Sequence, residues 1–139
     1  MKYTLVCLLF LCSCSPNSSG EFEKEGAARC RTLALILAKI ENREQLLYSE
    51  SELKKQFESL IDLMIEARQF QQKHPDDTSS AIAFGENSTD LALEEQLRRV
   101  YAIEGGREVI ERVQHESLVR LDAYERAVAK KREIVIQNR

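Results

Sequence analysis

Histidine and proline occur twice each in this chain and glycine five times, and each scarcity excludes something. His74 and His115 lie far apart, in neither a metalloprotease nor a deaminase spacing. No Gly-rich phosphate loop, nucleophile elbow or Cys-x-x-Cys pair occurs. These absences predict a protein that is not an enzyme and that takes no small-molecule substrate, metal or cofactor. Glu111 and His115, four apart on one helical face, read as a solvated polar pair, with a weak metal site as the rarer alternative. Few helix breakers together with 31% charged residues make a helical composition rather than a disordered one. A basic excess is lacking too. With 20 basic against 23 acidic residues the formal charge is −3, which argues against nucleic acid as the main partner, because phosphate binding needs a net basic face. There is no internal repeat.

Cysteine is unevenly spread: Cys7, Cys12 and Cys14 sit at the start, and the rest of the chain has Cys30 alone. The first fourteen residues run from Lys2 through an apolar stretch, Leu5 to Leu11, to Cys12-Ser13-Cys14. That is the order of a secretory signal, since a spanning helix needs about 20 apolar residues. Leu11-Cys12-Ser13-Cys14 resembles the lipobox of bacterial lipoproteins, in which Leu at −3 and a small residue at −1 precede the acylated cysteine. The resemblance implies a signal peptide over 1–13 and a diacylglyceryl and N-acyl lipid on Cys14. It also implies a place in the bacterial cell envelope. Ser15, a non-Asp residue after the anchor, favours the outer membrane in the sorting rule of two-membrane bacteria. Two or three acyl chains at ~0.8 kcal/mol per buried methylene suffice for stable anchoring. Removal of 1–13 leaves 126 residues and takes away Lys2, so the charge becomes −4. That length predicts a single domain.

Residues 14–26 have first linker and then acidic composition, which predicts a tether, with Glu21 to Glu25 alternatively opening a helix. The helical domain is then expected over 27–139. Leu33, Leu37, Ile40 and Leu47 form a helix stripe, and Cys30 at its start is expected to be buried, an intermolecular disulfide being the alternative. Ser49-x-x-Glu52 has capping-box spacing and suggests a break there. Leu53, Phe57, Leu60, Met64 and Ala67 carry a second stripe, which must end near His74 because Pro75 follows. Leu93, Leu97, Val100 and Ile103, then Ile110, Val113, Leu121, Tyr124 and Val128, carry a third, interrupted at Gly105-Gly106. The expected fold is all-α, an antiparallel helical bundle or long helical hairpin of about three helices. Their expected spans are 27–47, 51–73 and 89–137, the first two joining in the hairpin form and the last kinked at the glycines. Glu108/Arg112, Glu116/Arg120 and Asp122/Arg126 read as i,i+4 support on a solvated face.

Two places stand out as partner surfaces. Ile82 and Phe84 are sizeable apolar residues in an otherwise polar connection, and they either plug the bundle or meet a partner. Arg126, Lys130, Lys131 and Arg132 gather near the C-terminus against Glu133 and are candidates for an anionic surface. The function expected first is a lipid-anchored envelope module that binds another protein. In outline it is similar to secretin pilotins, which hold a helix of their client in an apolar groove. The alternative is a structural or membrane-surface lipoprotein whose basic C-terminal helix contacts anionic lipid.

Overall fold

The computed structural model describes residues 16–76 and 88–137, so the expected signal over 1–13, Cys14, Ile82 and Phe84 lie outside the described residues. Four helices are present and, among the described residues, no strand: α1 (Ser19–Ala38), α2 (Arg43–Lys73), α3 (Ser88–Tyr101) and α4 (Gly106–Gln137). The all-α expectation holds, with four helices in place of three.

α1 begins eight residues earlier than periodicity suggested. Ser18 caps it by accepting from the Glu21 amide at 3.3 Å, and the Glu21 carboxylate reaches back to the Asn17 amide at 2.6 Å. This reciprocal pairing satisfies two amides that a helix start would otherwise leave open. Residues 19–26 therefore belong to the bundle rather than to a tether. Phe22, only 3% exposed, packs on Leu63, Ala67 and Phe70, a burial worth roughly 1.5 to 3 kcal/mol. Cys30 is buried on the same side of α1.

The break between the first two helices falls at 39–42, not near Ser49, so the continuous-hairpin form is excluded. Asn42 is the N-cap of α2: its side chain accepts from the Gln45 amide at 3.0 Å, and Gln45 Oε1 accepts from the Glu41 amide at 2.7 Å. Ser49 and Glu52 lie inside α2. The restart at Asn42 also shifts the helical phase, so Leu46 is fully buried while Leu47 is half exposed. Arg99 on α3 locks this corner by donating to the Leu37 carbonyl at 2.6 Å and the Ile40 carbonyl at 2.7 Å. The Leu37 carbonyl lies in the last turn of α1 and the Ile40 carbonyl in the connection after it, where the regular i→i+4 ladder has ended.

Gly105-Gly106 marks a reversal rather than a kink. Gly105 adopts φ 72°, a left-handed conformation that suits glycine, and a Cβ on Gly106 would lie 2.0 Å from the Val100 carbonyl oxygen. The chain turns over 102–105 and sends α4 back along α2, in parallel with it, while α3 lies along α1. Two antiparallel hairpins thus pack side by side. The main core, built on Leu33, Leu37, Ile40, Leu46, Leu53, Phe57, Val100, Val109, Ile110 and Val113, sits at the end where both hairpins turn. Away from that end the bundle thins, because α3 has 14 residues and α4 has 32, about 21 Å against about 48 Å. No described helix is long and apolar enough to cross a membrane.

Replacing Gly106 with Ala should lower stability by about 2 to 3 kcal/mol, a fall in Tm on the order of 10 °C by circular dichroism. Gly105→Ala should cost about 1 to 2 kcal/mol, since it meets φ strain but only the end of the Arg43 side chain. A smaller loss for Gly106→Ala than for Gly105→Ala would contradict the close approach at Val100.

Candidate functional site

The open end of the bundle brings together the last turns of α2, the start of α1 and the second half of α4. α4 has no buried residue after Ser117, although its stripe continues through Leu121, Tyr124 and Val128, all half-buried. Gln72 Nε2 donates to the Tyr124 hydroxyl at 3.2 Å, which sets Tyr124 level with the last turn of α2. From Tyr124 to Gln137 the helix runs a further 13 residues, about 20 Å, so it projects beyond α2.

A ladder of ion pairs holds α4 against α2. Arg112 forks onto Glu50 with contacts of 2.7 and 2.9 Å, Lys54 meets Glu116 at 2.8 Å, Arg120 meets Asp62 at 2.6 Å, and Arg68 meets Glu125 at 3.9 Å. Of the i,i+4 pairs expected on α4, only Asp122–Arg126 forms, at 2.6 Å. Arg112 and the Glu116/Arg120 pair are taken by α2 instead, because a parallel neighbour offers carboxylates and an ammonium in better register. The hydrogen-bonded Arg112 guanidinium holds the Glu50 carboxyl below its ordinary range, and hydrogen-bonded Lys54 does the same to Glu116. Lys54 and Arg112 are shifted upward by the same contacts.

The second half of α4 forms a groove with the end of α2. Its larger hollow, about 530 Å³, is lined by residues that include Arg68, Gln71, Gln72, Tyr124, Val128 and Arg132. A smaller one of about 400 Å³ is lined by Gln72, Val128, Lys131, Arg132, Val135 and Ile136. Around these hollows, the four basic residues singled out from the sequence, Arg126, Lys130, Lys131 and Arg132, are spread around the projecting helix. Arg126 pairs with Asp122, whereas Lys130, Lys131 and Arg132 meet no acid among the described residues. Consecutive Ile134, Val135 and Ile136 then cover more than half the circumference of the tip and are 50%, 53% and 73% exposed. Three consecutive residues cannot share one face of a helix, so no single neighbouring element could bury all of them.

α1 starts at this same end, on the other flank of α2. The Phe22 and Phe70 rings are 5.4 Å apart, so Ser19 lies near the level of Lys73. This convergence could not be read from the chain order, because it requires knowing that α2 and α4 run parallel. At the opposite end, Tyr48 is 92% exposed beside Leu47. The described residues contain no cluster of three or more groups able to hold a metal ion, and Glu111 and His115 lie exposed on α4.

Glu50 and Glu116 have lowered values in the fold, so their contribution is present above the ordinary Glu range of about 4.3 and is lost as pH falls through the lowered folded values. At low salt, acidification from pH 6 to pH 3 should therefore reduce the Tm of the native chain more than that of a Glu50→Gln, Glu116→Gln variant. Equal reductions would show that the α2–α4 ladder does not contribute to acid sensitivity.

Comparison with models of protein families, with curated proteins and with solved structures finds no match to this chain.

Proposed function

We infer that this protein is a lipid-anchored lipoprotein of the bacterial cell envelope, whose projecting α4 tip rests on an anionic membrane surface. The observation that carries the reading is that α4 and the start of α1 leave the bundle at one end. The lipobox resemblance gives a lipid on Cys14, five residues before Ser19. Five residues reach at most about 18 Å, comparable with the roughly 20 Å by which the tip projects past the end of α2, so a nearly extended connection would let the lipid and the tip meet one membrane surface.

The tip has the composition such a contact needs. Basic side chains near an anionic surface contribute about 1 kcal/mol each, and of the collar Arg126, Lys130, Lys131 and Arg132 the last three meet no acid among the described residues, while Arg126 pairs with Asp122. Ile134, Val135 and Ile136 follow at the depth of the headgroup and acyl boundary, where apolar surface is withdrawn from water. A client helix lying along the Val128–Val135 stripe, the reading similar to that of pilotins, would leave Ile134 on the far side of α4 uncovered. The membrane contact is therefore favoured over protein binding at this end.

Cys14→Ser should abolish metabolic fatty-acid labelling; labelling that persists, or that moves to Cys12, would remove the anchor. For the tip, the full chain carrying an environment-sensitive fluorophore on Ile136→Cys is placed in vesicles through its own lipid. Its emission should shift to the blue when the bilayer contains anionic lipid, and the shift should shrink at high salt. An unshifted spectrum, together with crosslinking of the same position to an envelope protein, would replace this reading with the protein-interaction one.

A further inference from the structure

The two hollows at the open end share Gln72, Val128 and Arg132, and they differ in chemistry. The larger gathers donors from two helices: Arg68, Gln71 and Gln72 on α2, and Tyr124 and Arg132 on α4. The smaller is floored by Val128, Val135 and Ile136. We propose that together they form one binding site for a phosphate-bearing amphiphile. Its phosphate lies against Arg68 and Arg132, and its hydrocarbon part lies along Val128, Val135 and Ile136.

Guanidinium groups bind phosphate through paired N–H donors, and these two are available. Arg132 has no ion pair among the described residues, and the Arg68–Glu125 contact is long, 3.9 Å, with both side chains more than half exposed. An exposed pair at that distance contributes little, so an incoming anion displaces it readily. Tyr124 accepts from Gln72, which orients its hydroxyl and leaves the phenolic proton to be donated. Glu125 also lines the larger hollow and offsets one arginine there, so the site suits a single phosphate rather than a polyphosphate. Its 530 Å³ is within the range of small-molecule pockets. Inorganic phosphate would fill only the arginine half and leave the apolar floor in water, and this favours an amphiphile. The proposal depends on the membrane reading only for the source of the ligand.

The test titrates the full chain, held in an uncharged detergent, with dihexanoyl phosphatidic acid and separately with inorganic phosphate, followed by phosphorus NMR line broadening. The amphiphile should bind about tenfold or more tightly than inorganic phosphate. Arg68→Gln with Arg132→Gln should weaken it by roughly 100-fold, with helicity retained by circular dichroism. Val135→Asn, at a position that lines only the smaller hollow, should weaken the amphiphile while leaving inorganic phosphate unchanged. Equal affinity for the two titrants, or undiminished binding by the double arginine variant, would overturn the proposal. A retained titration with no shift of the Ile136 fluorophore leaves this site standing and removes the tip contact; the reverse result removes this site alone.

Discussion

The close approach of Gly106 to the Val100 carbonyl determines the shape of the open end. A side chain at 106 would sit 2.0 Å from that oxygen, so the reversal over 102–105 closes tightly only with glycine there. Because it closes tightly, α4 departs along α2 and not along the axis of α3. The two arms of this hairpin are very unequal, 14 residues against 32, and the longer arm outruns the other described helices. The basic collar, the exposed apolar tip and the adjoining hollows all follow from that inequality.

The apolar stripes were legible in the sequence. Leu33, Leu37, Ile40, Leu53, Phe57, Val100, Ile110 and Val113 fall where helical spacing puts them, because burial of one face is the strongest term in a bundle. The boundaries were less legible, since a capping signal is short and recurs by chance. Ser18-x-x-Glu21 and Asn42-x-x-Gln45 cap real helices, while Ser49-x-x-Glu52, with similar spacing, lies within α2. What separates them is neighbouring structure: Arg99 satisfies the carbonyls at 37 and 40, and no local pattern announces a donor 59 residues away. Charge pairing held for Asp122–Arg126 and failed for the other two pairs for a related reason. Spacing of four names one available partner on the same helix, but Arg112, Glu116 and Arg120 found partners across α2.

The candidate site divides along the same line. The basic run from Arg126 to Arg132 was visible as composition, and Tyr124 and Val128 as members of a stripe. Arg68, Gln71 and Gln72 carried no signal, because their part in the groove depends on α2 and α4 running parallel, which places the last turn of one beside the middle of the other. Ile82 and Phe84, the other expected partner residues, lie outside the described residues.

An unsupported helix of about 13 residues is marginal in water even when its residues favour helix, since nucleation is costly and no packing repays it. The projecting part of α4 escapes part of that difficulty by continuing a helix already nucleated and packed from Val109 to Ser117. It does not escape the exposure of Ile134, Val135 and Ile136, whose burial elsewhere in the bundle would have been favourable. Exposed apolar residues at a tip, ringed by cations and placed at the end where the chain enters the fold, lower the free energy of the system only when something covers them. A bilayer held nearby by a lipid on Cys14 would be present at high effective concentration whatever else the compartment contains, so weak contacts at the tip would suffice to orient the bundle. On the proposed membrane reading, the core at the turn end would supply the stability and the bilayer would complete the surface that the thin open end leaves exposed.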